Sequence, residues 1–326
     1  MLKSMLECAG RFDAEYANGL TSHLPMTLIS LAKLGADLSV MERFYYSYSI
    51  RLNPKAEPRA DIMPYSWWNY VGVGNHHAEL AGFFMREISR EGRASVIKKY
   101  VEPLAPGIAS CGLHGLIRTA YGIEAEHDGE ISEGLALWAN RYHVLVPSGS
   151  DHSDGDPLQN LESMRRHQGR RSEDLAAMPI AEAMRAVSGT PWFAELSSSI
   201  RIHSDTLAEL ADIAARIFIS SPDFAALHLI TSVHAMRIVL PYVGAENIVR
   251  SFWSSFAAIY VQVGAPSFSN EPFPHRRLPS WSDIVEAAFK NLDDHTVKLV
   301  YSCWEEERAY GYTSHRFIAA RQTGLL

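Results

Sequence analysis

Residues 19–36, GLTSHLPMTLISLAKLGA, read as a loop running into an apolar helix. Thr21 or Ser22 can cap that helix, and Pro25 fits its first turn, where a missing N–H costs nothing. Those residues account for where the helix begins. They leave His23, an imidazole at the mouth of a greasy segment, without a role. Helical periodicity of this kind dominates the chain. It predicts helices over 80–91, 94–101 (stopping ahead of Pro103 and Pro106), 113–124, 131–144, 206–219, 223–240, 247–263, 280–291 and 295–310. Strand-like alternation is scarce; residues 44–50, FYYSYSI, are the best candidate and read equally as helix or loop. Pro-rich or turn-rich connections fall at 51–64, 147–157 and 265–278, the last long enough to act as a lid. The expected fold is all-α: a single mostly helical domain over residues 1–326, with long Pro-rich loops and a site between helices.

Composition narrows the function classes. Of 326 residues, 47% are hydrophobic and 21% charged, an ordinary globular balance. The net charge is −7, and basic pairs such as Arg165-Arg166 and Arg276-Arg277 stand alone, which argues against nucleic acid as a partner. No window reaches the roughly 18 to 20 uninterrupted apolar residues of a membrane span, so none is expected. The N-terminal residues lack the apolar run of a signal peptide. Cys8, Cys111 and Cys303 are widely spaced with no CxxC, so reduced thiols and a cytoplasmic location are expected.

The chain has 14 histidines, and most sit in polar or loop contexts where a surface role is the simple reading. Five lie in apolar or helix-start surroundings: His23, His114, His228, His234 and His295. Any one alone reads as a hydrogen-bonded core residue. Five together each have two ring nitrogens to satisfy, and a shared metal ion does that for several at once. His295 and Lys298 are three apart, about 60° around a helix, and can address one point. His228 and His234 are six apart, about 120° around, so one of them is the better placed. His234 is favoured, because Arg237 follows at i+3; likewise Arg118 follows His114 at i+4. Lys298 lies in the apolar run TVKLVYSCW, where an ammonium is costly without a partner. A salt bridge to Asp293, Asp294 or a glutamate on another helix is one reading. Conversion by carbon dioxide to a carbamate, an anionic oxygen ligand, is the other. HExxH and paired HxH spacings are absent.

Five blocks in order resemble the questin oxidase-like proteins: NGLTSHLPMTLISLAKLGA, CGLHGLIRTAYGIE, EGLALWANRY, ALHLITSVHAMRIVLPYV and DDHTVKLVYSCWEEERAYG. The resemblance covers most of the chain and is weakest across 148–199 and 265–278. It implies a largely helical fold and, for fungal members, oxidative cleavage of an anthraquinone ring in secondary metabolism, with a Baeyer–Villiger-like, monooxygenase outcome. It implies iron held by histidines and a lysine-derived carbamate, which block by block points to His23, His114, His234 or His228, His295 and Lys298. Fe(II) in such a site suits dioxygen, zinc is the alternative ion, and NADPH is a reductant the chemistry can take. GVGN is no GxGxxG, so no flavin motif is visible. The expected partners are a small aromatic substrate and dioxygen. Tyr45, Tyr46, Trp67, Trp68, Tyr121 or Trp138 could stack on such a ring. Arg118 and Arg237 could stabilise a phenolate, and Tyr121, seven residues beyond His114, could donate a proton. Two other classes stay open: a zinc-dependent hydrolase on the same cluster, and a non-catalytic helical ligand-binding protein.

Overall fold

A computed structural model describes residues 1–17, 19–146, 154–168, 173–269, 273 and 277–326. Among these, seventeen α-helices and one two-stranded sheet occur, so the protein is all-α. The helices are α1 (Leu2–Ala9), α2 (Leu24–Lys33), α3 (Leu38–Ser49), α4 (His77–Glu91), α5 (Arg93–Leu104), α6 (His114–Glu124), α7 (Asp128–Asn140), α8 (Pro157–Gln168), α9 (Glu173–Ala177), α10 (Ile180–Ser188), α11 (Pro191–Ser197), α12 (Thr206–Ser220), α13 (Phe224–Val239), α14 (Ala245–Gln262), α15 (Trp281–Asn291), α16 (Asp294–Tyr310) and α17 (Ser314–Gln322). The strands β1 (Glu15–Tyr16) and β2 (Leu20–Thr21) pair antiparallel, with Tyr16 opposite Leu20.

Several local readings change. Thr21 is taken up in β2 and the Ser22 N–H donates to the Ala14 carbonyl at 2.8 Å, so neither caps α2. His23 is itself the N-cap, with Pro25 in the first turn. FYYSYS, residues 44–49, belongs to α3, which is capped by Asp37 accepting from the Val40 N–H and ends at the C-cap Ile50. Met41, Phe44 and Tyr48 are that helix's buried residues, and their spacing of three and four overrides the β propensity of the aromatics. Pro103 does not stop α5, because it falls in the last turn, where a lost N–H removes only a terminal bond. The helices α1, α8–α11 and α17 were not foreseen. Of the expected loops, 147–153, 270–272 and 274–276 lie outside the described residues, and with them part of the candidate lid.

One segment, Phe224–Tyr242, is long and apolar enough to cross a membrane by length and composition, contrary to the expectation of none. It is 72% buried inside the protein, and α13 with its 3-10 extension is the central helix of the core. Around it, α13 packs on α6 and α16, and α2 packs on α16 and α6.

The position of α6 is set by how closely it crosses α7. A Cβ on Gly134 would stand 2.4 Å from Thr119 N, one on Gly122 2.6 Å from Ile131 N, and one on Gly115 2.7 Å from Trp138 Cα. Only glycine permits that approach. The buried charges of the interface are then paired: Arg118 Nε donates to Glu130 at 2.9 Å, while Glu133 accepts from His77 at 2.7 Å and from Lys55. Burial alone would raise the Glu133 carboxyl; the facing His77, Arg118 and Lys55 overcome it and hold the group well below the usual range.

Gly134→Ala is expected to destabilise the protein by about 2–3 kcal/mol in urea unfolding, since backbone lies in the path of the added methyl. Because the Glu133 pKa is depressed on folding, its contribution is full above the unfolded value, about 4.3, and is lost as pH falls below it. Glu133→Gln is therefore expected to lower stability by about 3 kcal/mol at pH 7, with the difference from wild type shrinking below pH 4 in thermal melts.

Candidate functional site

Four helix starts converge on one space. His23 is the N-cap of α2, His114 the first residue of α6, His295 the second of α16, and His228 lies in the second turn of α13. The chain reaches His114 through Cys111, Gly112 and Leu113, whose φ values of 48°, 62° and 72° are all left-handed. For Cys111 and Leu113 that conformation costs about 1–3 kcal/mol each and persists only where surrounding structure enforces it. The rings meet closely. Centroid separations are 4.9 Å for His23–His114, 4.6 Å for His23–His295 and 5.1 Å for His114–His228.

Hydrogen bonds fix the tautomers. His114 Nδ1 faces the Cys111 carbonyl at 2.5 Å and His228 Nδ1 the Phe224 carbonyl at 3.0 Å; a carbonyl only accepts, so both Nδ1 atoms carry the proton. His23 Nδ1–H donates to Asp294 Oδ2 at 2.5 Å, and His295 Nδ1 faces the same oxygen at 3.4 Å. Burial would raise the Asp294 carboxyl, but the His23 and His295 hydrogen bonds bring it far down, so it is an ionised acceptor. With Nδ1 holding the proton, the rings of His23, His114 and His228 are left with an Nε2 lone pair. The Nε2 atoms of His228 and His295 are buried without a partner, and those of His23 and His114 stand 2.8 Å apart. Two lone pairs at that distance repel unless a proton or a metal ion lies between them. A proton is disfavoured: burial first, then Lys298 and the neighbouring imidazoles, depress the pKa of His23, His114 and His228 well below the ordinary value. This donor set fits a metal ion, with Asp294 within 4.8 Å of nitrogens from His23 and His295.

Lys298, 3% exposed, lies one turn beyond Asp294 on α16. Burial pulls its amine down to about 8 although Asp294 and Asp293 oppose the shift. The positive ends of the converging helices also disfavour an ammonium and favour an anion there. Above the histidines a cavity of about 280 Å³ opens, bordered by Tyr16, Leu20, Arg51, Ile180 and Phe224. Cys111 borders it too, but burial pushes its thiol up to about 12, which disfavours a thiolate there.

The questin oxidase-like family model matches residues 20–303, and all of these side chains except Tyr16 fall within that span. The chain belongs to the questin oxidase-like family. No curated protein matches it. The family description points to oxidase-type, hence oxidoreductase, activity.

Not every candidate of this questin oxidase-like chain joins the cluster. His228, rather than the favoured His234, stands beside the other three rings. His234 lies deeper, with Nδ1 3.1 Å from Ser302 Oγ and Nε2 3.5 Å from Glu124 Oε1. The reason is depth: six residues carry His234 about 9 Å along the helix axis, beyond reach of helix starts. Tyr121 follows it, its hydroxyl 3.4 Å from Ser302 and its ring against His234. Arg237 pairs with Glu306 at 2.9 Å, and Arg118 is held in the α6–α7 interface, so neither guanidinium borders the cavity. The six proposed stacking aromatics are also elsewhere. Trp67 packs on Phe83 and Tyr100, Tyr45 on Phe12, and Trp138 is buried in α7, while Tyr46 and Trp68 are exposed. Sequence reasoning passed over the two residues nearest the rings. Asp294 was weighed only as a partner for Lys298, and Phe224, 4.7 Å from His295 and 5.1 Å from His228 between centroids, was read as helix. The sequence shows only an acid directly ahead of a histidine at a helix start, which is a weak signal for Asp294.

Cobalt(II) titration followed by visible absorbance separates the two α13 histidines. His228→Ala is expected to weaken cobalt binding more than tenfold, whereas His234→Ala stays within about twofold of wild type.

Proposed function

We propose that the protein is an iron-dependent oxygenase that oxidises a flat hydroxylated aromatic compound of the polyketide or anthraquinone type. The observation that supports it most is the cluster of four imidazoles in which the Nε2 atoms of His23 and His114 stand 2.8 Å apart and those of His228 and His295 are buried without a partner. His23, His114, His228 and His295 would hold the ion. Bound among these imidazoles, Fe(II) would supply redox chemistry toward dioxygen. Asp294 keeps two of the rings oriented by holding their Nδ1 protons, as carboxylates behind metal-bound histidines do. Lys298 completes the set as a carbamate. Its amine, down near 8, is partly neutral at physiological pH, and the neutral nitrogen adds to carbon dioxide with release of one proton. That exchanges a buried ammonium for an anion facing the positive helix ends.

Above the cluster, Phe224 offers an exposed ring and Tyr16 a second aromatic wall for a planar substrate. Insertion of one oxygen atom, with the other leaving as water, takes two electrons from a reductant such as NADPH; opening a quinone ring in this way gives a Baeyer–Villiger-like product. Family membership and the redox character in the family's description favour iron over a hydrolytic zinc.

Protein purified without chelator is expected to carry roughly one iron per chain and to take up oxygen with a polyhydroxylated anthraquinone and reductant. Near-stoichiometric zinc with no oxygen uptake would instead indicate metal-assisted hydrolysis. Labelling with ¹³C-bicarbonate is expected to give a carbamate signal that Lys298→Met abolishes; an unmodified lysine in metal-loaded protein sinks the carbamate.

A further inference from the structure

We infer that the cavity selects an aromatic anion, with Arg51 binding its carboxylate or phenolate oxygen. The inference rests on reading this cavity as the substrate site, and it names the substrate's charge. Three observations carry it. First, Arg51 borders the cavity with its guanidinium 4.0 Å from the Tyr48 ring centroid, and no carboxylate among the described residues pairs with it. Most other arginines near acids are engaged, among them Arg118 with Glu130, Arg141 with Glu15 and Arg237 with Glu306. Second, the guanidinium is positioned through the same residues that build the cluster. Tyr48, buried beneath it, accepts from the His23 backbone N–H at 2.9 Å and lies 3.3 Å, oxygen to oxygen, from Tyr16. A cation stacked on a ring keeps its edge N–H groups free for a second partner, and the planar fork of arginine suits a carboxylate. Third, among the described residues Asp294 is the only acid bordering the cavity, and its oxygen is committed to His23 and His295.

The rest of the rim is apolar. Leu20 and Phe224 are 55% and 57% exposed there, and Ile180 and Tyr16 continue the wall. An apolar slot with one unneutralised cation at its edge binds a ring that carries one negative group. A neutral ring of the same shape would leave the guanidinium without its ion partner, and a small inorganic anion would leave the apolar wall wet.

Binding of 2-naphthoate and of its neutral counterpart 2-naphthamide, measured by calorimetry under anaerobic conditions on protein as purified, tests this directly. Wild type is expected to prefer the naphthoate by about tenfold or more, as befits a hydrogen-bonded ion pair. Arg51→Met, which keeps the aliphatic stem, is expected to abolish that preference while leaving naphthamide affinity within about twofold. Equal binding of the two probes by wild type overturns the inference. So does a preference that survives in Arg51→Met, since the anion would then be held by the cluster itself. Metal content is measured on the same samples. Because the comparison reads binding alone, a lack of iron or of oxygen uptake defeats the oxygenase reading without touching the charge preference.

Discussion

The site depends on where four imidazole protons are held. Oxygens that can only accept, two backbone carbonyls and the Asp294 carboxylate, take the Nδ1 side of His23, His114, His228 and His295. Once those protons are fixed, the opposite nitrogens have lone pairs left: those of His23 and His114 meet at 2.8 Å, and those of His228 and His295 are buried without a partner. Buried polar atoms without partners are costly, and a bound metal ion is one partner that such a donor set fits. The carbonyls are local, three or four residues from their histidines. Asp294 comes from the far end of the chain, and it therefore ties α16 to α2.

The scaffold is arranged to keep that geometry. Glycines let α6 lie against α7 at backbone contact, buried ion pairs lock the crossing, and a left-handed run lifts His114 into place. Strain at Cys111 and Leu113 is tolerated because the helix that follows is packed at backbone contact on α7. Helix starts also suit the chemistry, since their positive ends oppose protonated imidazoles and an ammonium while accepting anionic groups.

Much of this was legible in the sequence, and the failures share a cause. Long apolar segments with spacing of three and four gave the principal helices and the all-α class. His23, His114 and His295 stood out because an imidazole is odd at an apolar helix start, and Lys298 because a charge is odd in TVKLVYSCW. Helical periodicity reports an angle around an axis but not depth along it relative to neighbouring helices. For that reason Arg237 made His234 attractive, although both belong to a polar layer with Ser302, Glu124 and Glu306 below the cluster. Arg118 shares a helix with His114 but is claimed by acids on α7, a pairing no local pattern displays. Asp294 was hidden in plain view, since an acid in a helix's first turn needs no special explanation.

The polar side chains of α16 have a further consequence. Asp294, Lys298, Ser302 and Glu306 recur every four residues and are all buried, forming a slowly turning stripe from the cluster into the lower polar layer. One residue added or removed inside that helix would swing everything after it by about 100°, separating the upper half of the stripe from the lower. Such a change could not be absorbed by repacking, because charged groups would be driven into hydrocarbon. Divergence in chain length therefore has room in surface connections such as the one between α3 and α4, while α16 behaves as a ruler whose divisions cannot be redrawn.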